Sequence, residues 1–136
     1  MEDVASDAGC HVSEFDGNTH HNPPVTGKFL ERNRAADGSY VGRRSPSVSA
    51  TVHALYHGRV AIQYRPELAV RQVRALEGLV ASDSDRMLLF ANQTGMQAPV
   101  AATAYLSVMT CPRVDQHTLH ALRVYRDRRR GFGQAF

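Results

Sequence analysis

The sequence has no tryptophan, a single lysine (Lys28), two cysteines and few aromatic residues, 7% of 136. Each scarcity excludes something. Cys10 and Cys111 make no CxxC pair, so a zinc ribbon is ruled out. They leave two alternatives, free thiols in a reducing compartment or one bridge across the ends of the domain in an oxidising one. With lysine nearly absent, arginine carries the basic charge, and 16 basic against 13 acidic residues give a formal net charge of +3. That surplus is weak and gathers in one tail, Arg123, Arg126, Arg128, Arg129 and Arg130. Such a tail reads as a solvated helix end with cations near its negative pole. No nucleic-acid motif accompanies it, so no nucleic-acid partner is expected. No apolar run approaches the roughly 20 residues of a membrane helix, so no membrane partner is expected either. Residues 1–9 are acidic and lack an apolar h-region. The expectation is a cytoplasmic protein for the chain as given, and an exported one if it is a trimmed mature form.

What is present is ordinary globular composition, 43% hydrophobic and 21% charged, at a length that suits one domain. Residues 1–9 read as a flexible N-terminus and 10–136 as a single α+β domain. Within it, 10–49 is a loop-rich arm, 50–130 the body and 131–136 a tail. The arm is punctuated by Pro23-Pro24, Gly27, Asp37-Gly38, Gly42 and Ser45-Pro46-Ser47. In the body, 52–56 is ambiguous between helix and strand. Residues 59–64 alternate like a half-buried strand, with Val60, Ile62 and Tyr64 on one face. Pro66 opens a helix over 66–81 with an apolar stripe through Leu68, Val73, Leu76, Leu79 and Val80. Strands are expected over 86–91 and 100–109, and Asp115 caps a helix over 115–128. The order predicts a small, largely antiparallel sheet with two packed helices.

Histidine carries the chemical information. There are seven, and five of them, His11, His20, His21, His53 and His57, fall in the first 57 residues. His53 and His57 are four apart. On a helix both imidazoles share a face and can hold one ion, whereas on a strand they would stand about 13 Å apart. Shared ligation therefore demands a helical turn ending at Gly58, a natural C-cap. His20-His21-Asn22-Pro23-Pro24 is a stiffened loop that presents one of its histidines to a site. Tyr56 beside His57 makes an acid/base couple available.

These segments resemble the bacterial domain of unknown function 3105 family. His11-Val12 stands where that family has an HV dipeptide. The run Asn22-Pro23-Pro24-Val25-Thr26-Gly27-Lys28-Phe29 is similar to its NPPTSGPH. His53-Ala54-Leu55-Tyr56-His57-Gly58 is similar to its HSLEHG, with Tyr64-Arg65-Pro66 for the YxP that follows. Ala98-Pro99-Val100-Ala101 and Thr103-Ala104-Tyr105 resemble its PV-TAW stretch, and 111–115 with Tyr125-Arg126 fit its C-terminal part. The resemblance spans residues 10–130. Three positions depart from it. The family's histidine is Phe29 here, its glutamate is Tyr56 and its tryptophan is Tyr105. The resemblance implies that Cys10 and Cys111 bridge in an oxidised, exported form.

Three functions follow as expectations. The first is a copper or zinc site between the arm and the His53–His57 turn, with His11, His53 and His57 as ligands and His21 or His20 as a fourth. It would bind a metal ion or a small molecule and, with an open position, assist catalysis. The second is a metal-free enzyme, of cyclase or isomerase type in secondary metabolism, using the same pocket. There His57 and Tyr56 act as acid and base, and Phe29, His20 and Tyr64 line the cavity. The third is a non-enzymatic interaction module built on the arm and the arginine tail. In the first two, His53 and His57 face a pocket closed on one side by residues 20–29.

Overall fold

The computed structural model describes residues 1–15, 21–29 and 32–132. Its elements follow in the order α1 (Glu2–Asp7), β1 (His11–Glu14), β2 (Gly38–Ser39), α2 (Val48–Tyr56), β3 (Val60–Tyr64), α3 (Val70–Ser82), β4 (Met87–Ala91), β5 (Val100–Ala104), β6 (Ser107–Cys111) and α4 (Gln116–Arg129). The strands form one sheet in the order β1-β6-β5-β3-β4-β2. The pairs β1/β6, β6/β5 and β5/β3 are antiparallel, and β3/β4 and β4/β2 are parallel. The class is α+β. The β3/β4 pair is parallel because α3 intervenes as a crossover, which parallel neighbours require.

Alternation along the strands feeds two cores. Val60, Ile62, Tyr64, Met87, Leu89, Val100 and Met109 face one side, where Leu76 and Leu79 of α3 and Leu122 and Tyr125 of α4 meet them. Ala61, Leu88 and Phe90 face the other side, under Ala50, Ala54 and Leu55 of α2. Beside them, Ala101 and Val108 pack with Val25 and Met96. Both faces are covered, so β3 is buried at every position. The half-buried reading of 59–64 is corrected accordingly: its alternation separates two cores, not core from water.

Other expectations change for local reasons. Residues 1–9 are not a loose end, because Glu2–Asp7 is helical and Ala5 and Ala8 enter the larger core. The strand over 100–109 is a hairpin, turned at Tyr105-Leu106, with Ala104 opposite Ser107. Leu106 takes φ +62 there, a left-handed conformation that leucine does not advertise. Pro66 sits in a turn closed by Leu68 N–H on Arg65 C=O at 2.9 Å, and α3 starts at Val70. The arm supplies both edge strands, β1 and β2. By contrast α4 matches its expected span and its Asp115 cap, which accepts from Thr118 N–H at 2.9 Å.

Cys10 and Cys111 are joined, with their α-carbons 4.2 Å apart, inside the larger core. The arginine tail is partly engaged. Arg130 grips Asp83 with two bonds of 2.7 and 2.8 Å, Arg129 pairs with Glu14, and Arg126 is buried.

Candidate functional site

The site begins with the ends of α2. Ser47 caps the start, accepting from Ala50 N–H at 3.1 Å. At the other end Gly58 takes φ +85. Arg59 N–H then bonds Ala54 C=O at 3.1 Å and Gly58 N–H bonds Leu55 C=O at 2.9 Å, which is a Schellman closure. The ambiguous segment 52–56 is thus helical, and the turn that shared ligation demanded is present.

His53 and His57 converge on that turn. Their Nε2 atoms are 3.1 Å apart and their ring centroids 4.9 Å. His53 is 2% exposed and its Nδ1 has no hydrogen-bond partner. Phe29 stacks on His53, centroids 4.2 Å apart and planes within 15°. Phe29 also meets Tyr56 at 5.2 Å, and Tyr56 meets Tyr105 edge-on at 5.4 Å. Tyr56 approaches His57 ring edge to ring face, at 5.8 Å. The arm therefore docks where it was expected to, but Phe29 covers His53 instead of walling an open pocket.

The other expected residues do not join this pair. His11 opens β1, exposed at the sheet edge, with β6 and β5 standing between it and β3. Strand spacing alone keeps it from α2, since each strand adds about 4.8 Å. His21 lies tilted against the Phe15 ring, centroids 3.9 Å apart and planes 31° apart. Among the described residues no three His, Cys, Asp or Glu side chains gather into a metal-holding group. The set His11, His21, His53 and His57 is corrected to the pair His53 and His57. His20 lies outside the described residues. Tyr64 is also corrected, because it points to the opposite face of the sheet, into the larger core. Burial there pushes its hydroxyl pKa up, and the nearby Glu77 carboxylate adds to the shift.

A family model described as a protein of unknown function (DUF3105) matches residues 11–131. The chain belongs to the DUF3105 family. No curated protein and no solved structure matches it. Phe29, Tyr56 and Tyr105, the three positions that depart from the resemblance read in the sequence, form one chain of ring contacts that ends on His53.

Sequence reasoning missed a second polar group at the far end of α2. Asn92 Nδ2 donates to Gln63 Oε1 at 2.8 Å and to Asn22 Oδ1 at 3.0 Å. Thr94 N–H and hydroxyl both donate to Asn92 Oδ1, at 2.9 and 2.8 Å. Beside this network lies a cavity of about 460 Å³. The signals that pointed to it were Ser45-Pro46-Ser47, read as turn punctuation and not as a helix cap, and the adjacent Arg43-Arg44.

Proposed function

We propose that the His53–His57 turn binds a single zinc or copper ion. The observation that carries this is the 3.1 Å between the two Nε2 atoms on one helical turn. Two nitrogens each bound to one tetrahedral zinc at about 2.0–2.1 Å lie about 3.3 Å apart, close to that separation. Imidazole suits both metals. A bound ion with open positions supplies Lewis-acid chemistry to a small molecule. The residues of the chain hold the imidazoles rigid through the Schellman turn, exclude water with Phe29 and tie the turn down with Arg59, which donates to His57 C=O at 3.1 Å.

The test is metal analysis of protein purified without a histidine tag, alongside its thermal midpoint with and without added zinc or copper. One equivalent of metal and a midpoint raised by it are expected, both lost in His57→Ala. Absence of stoichiometric metal together with an unmoved midpoint refutes the site.

A second reading rests on His53 Nδ1. A ligating imidazole ordinarily donates its other N–H to an acceptor, and this nitrogen has none. If His53 instead donates from Nε2 to His57, Nδ1 is a bare acceptor, the less costly orphan. The pair is then a metal-free proton-handling site. His57 and Tyr56 serve as acid and base toward a small organic substrate, in an isomerisation or cyclisation of secondary metabolism. Metal-free folded protein in the assay above favours this reading. The Cys10–Cys111 bridge supports an exported protein over a cytoplasmic one, since disulfides persist in oxidising compartments.

A further inference from the structure

The cavity at the N-terminal end of α2 is independent of the imidazole pair. Arg43 and Arg44 stand at its rim, and Phe90, Val48, Pro24 and Pro46 line its apolar side. No Asp or Glu lines it among the described residues. Neither arginine pairs with a carboxylate among those residues; Arg43 lies over the Tyr40 ring at 4.9 Å. The first turn of α2 carries no acidic residue, so its positive pole is uncompensated. Ser47 satisfies Ala50 N–H, and Thr51 N–H bonds Ser47 C=O. The N–H groups of Val48 and Ser49 remain as the helix's orphan donors.

The independent observation is Gln63. It lines the cavity, is 1% exposed, and its Nε2 has no hydrogen-bond partner. Its orientation is settled by its neighbours. The backbone N–H of Thr94 can only donate, so the atom of Asn92 that receives it is Oδ1. Asn92 then offers Nδ2 to Gln63, which must answer with Oε1. The amide left over is Nε2, a buried donor that lacks an acceptor, and such groups are expensive to leave unmade.

We propose that this cavity binds a small organic carboxylate. Its head sits against the α2 N-terminus, Arg44 and the Gln63 amide, and its apolar body lies against Phe90, Val48 and the two prolines. The only charged groups in its lining are cations, and the unmet polar groups identified above are donors, which favours an oxyanion over a cation. The apolar wall selects a body beyond the anionic group. A volume near 460 Å³ is the size of a small-molecule site. The cavity also lies beyond the carboxyl ends of the parallel strands β3 and β4, the position that open sheets use for ligands.

The experiment is a titration of 15N-labelled protein with sodium benzoate, and separately with inorganic phosphate, at constant ionic strength. Saturable benzoate shifts are expected at the Gln63 side-chain amide and at the Val48 and Ser49 N–H groups. Arg44→Glu is exposed and spares the fold; it should weaken benzoate about tenfold. Gln63→Met should weaken it as well, and if that variant fails to fold, Arg44→Glu carries the test alone. The proposal is overturned if benzoate does not saturate, if the shifts fall elsewhere, or if Arg44→Glu binds as well as the parent. Phosphate saturating where benzoate does not overturns the apolar half of the site, and with it the ligand class. Because no metal enters the assay, failure here leaves the imidazole-pair reading standing, and the reverse holds too.

Discussion

Leu76, Leu79, Val80 and Leu122 fill one face of the sheet, while Thr51, His53 and Gln63 are buried on the other. The first face is covered by long helices and large aliphatic side chains and is pinned by a disulfide. The second is covered by nine residues of α2, packed through alanines, and by an arm with little regular structure. Burying polar groups costs stability unless they are bonded, and His53 Nδ1 and Gln63 Nε2 are not; on the first face Arg126 Nη1 of α4 is the one such atom among the described residues. The aliphatic face offsets that cost. One side of this sheet stores stability, and the other holds groups that stability alone would have removed.

Matched substitutions on the two faces test this contrast. The largest effect is expected from replacing Cys10 and Cys111 together by Ala. The loop they close is long, and the change should cost about 2–5 kcal/mol in urea denaturation. A loss under about 1 kcal/mol would mean that the aliphatic face does not depend on its bridge. Next come two leucines, one from each side. Leu122→Ala should cost about 3–5 kcal/mol, and Leu55→Ala about 2–3, because the arm can settle into the smaller gap. Equal costs would erase the distinction between the faces. Tyr125→Phe removes a buried hydroxyl that donates to Ser107 Oγ at 2.9 Å. About 1 kcal/mol is expected, read from the same denaturation curves.

The smallest effect concerns Asp83. The Arg130 guanidinium bonded to its carboxylate holds its pKa below the usual carboxylate range. A depressed folded value means that the ion pair stabilises the protein above the unfolded value, near pH 4, and that this is lost as pH falls through the lower folded value. Asp83→Asn should therefore lower the thermal midpoint slightly at neutral pH and reduce the difference between pH 7 and pH 3. A parent-like acid limb in the variant would show the pair to be solvated away.

Periodicity revealed the centre of the molecule and little of its periphery. Val60, Ile62 and Tyr64 and the stripe through Leu119, Leu122 and Tyr125 each obey one period, and 87–91 is a short unbroken apolar run of strand length, so β3, β4 and α4 were legible. The segment 52–56 was not, because five apolar and histidine residues, under about one and a half helical turns, suit either period. Gly58 decided it, through a closure visible only with Ala54 and Leu55 in place. The hairpin at Tyr105-Leu106 carries no glycine, asparagine or proline, so tertiary context imposed that turn against local preference. The histidine pair was legible because four residues on a helix are neighbours. His11 and Tyr64 were misplaced because position in sequence says nothing of which sheet edge or face a residue will occupy.

The arm is fastened at both ends, by β1 along β6 at one edge of the sheet and by β2 along β4 at the other. Between these seams Pro24 lines the cavity and Phe29 covers His53, five positions apart on the same stretch of chain. Between those two contacts Val25 is fully buried against Met96, Ala101 and Val108, so the stretch is nailed down at its middle as well. One short piece of backbone thereby sets the surroundings of both ends of α2, and a change at Val25 that shifts it reaches the imidazoles and the cavity together.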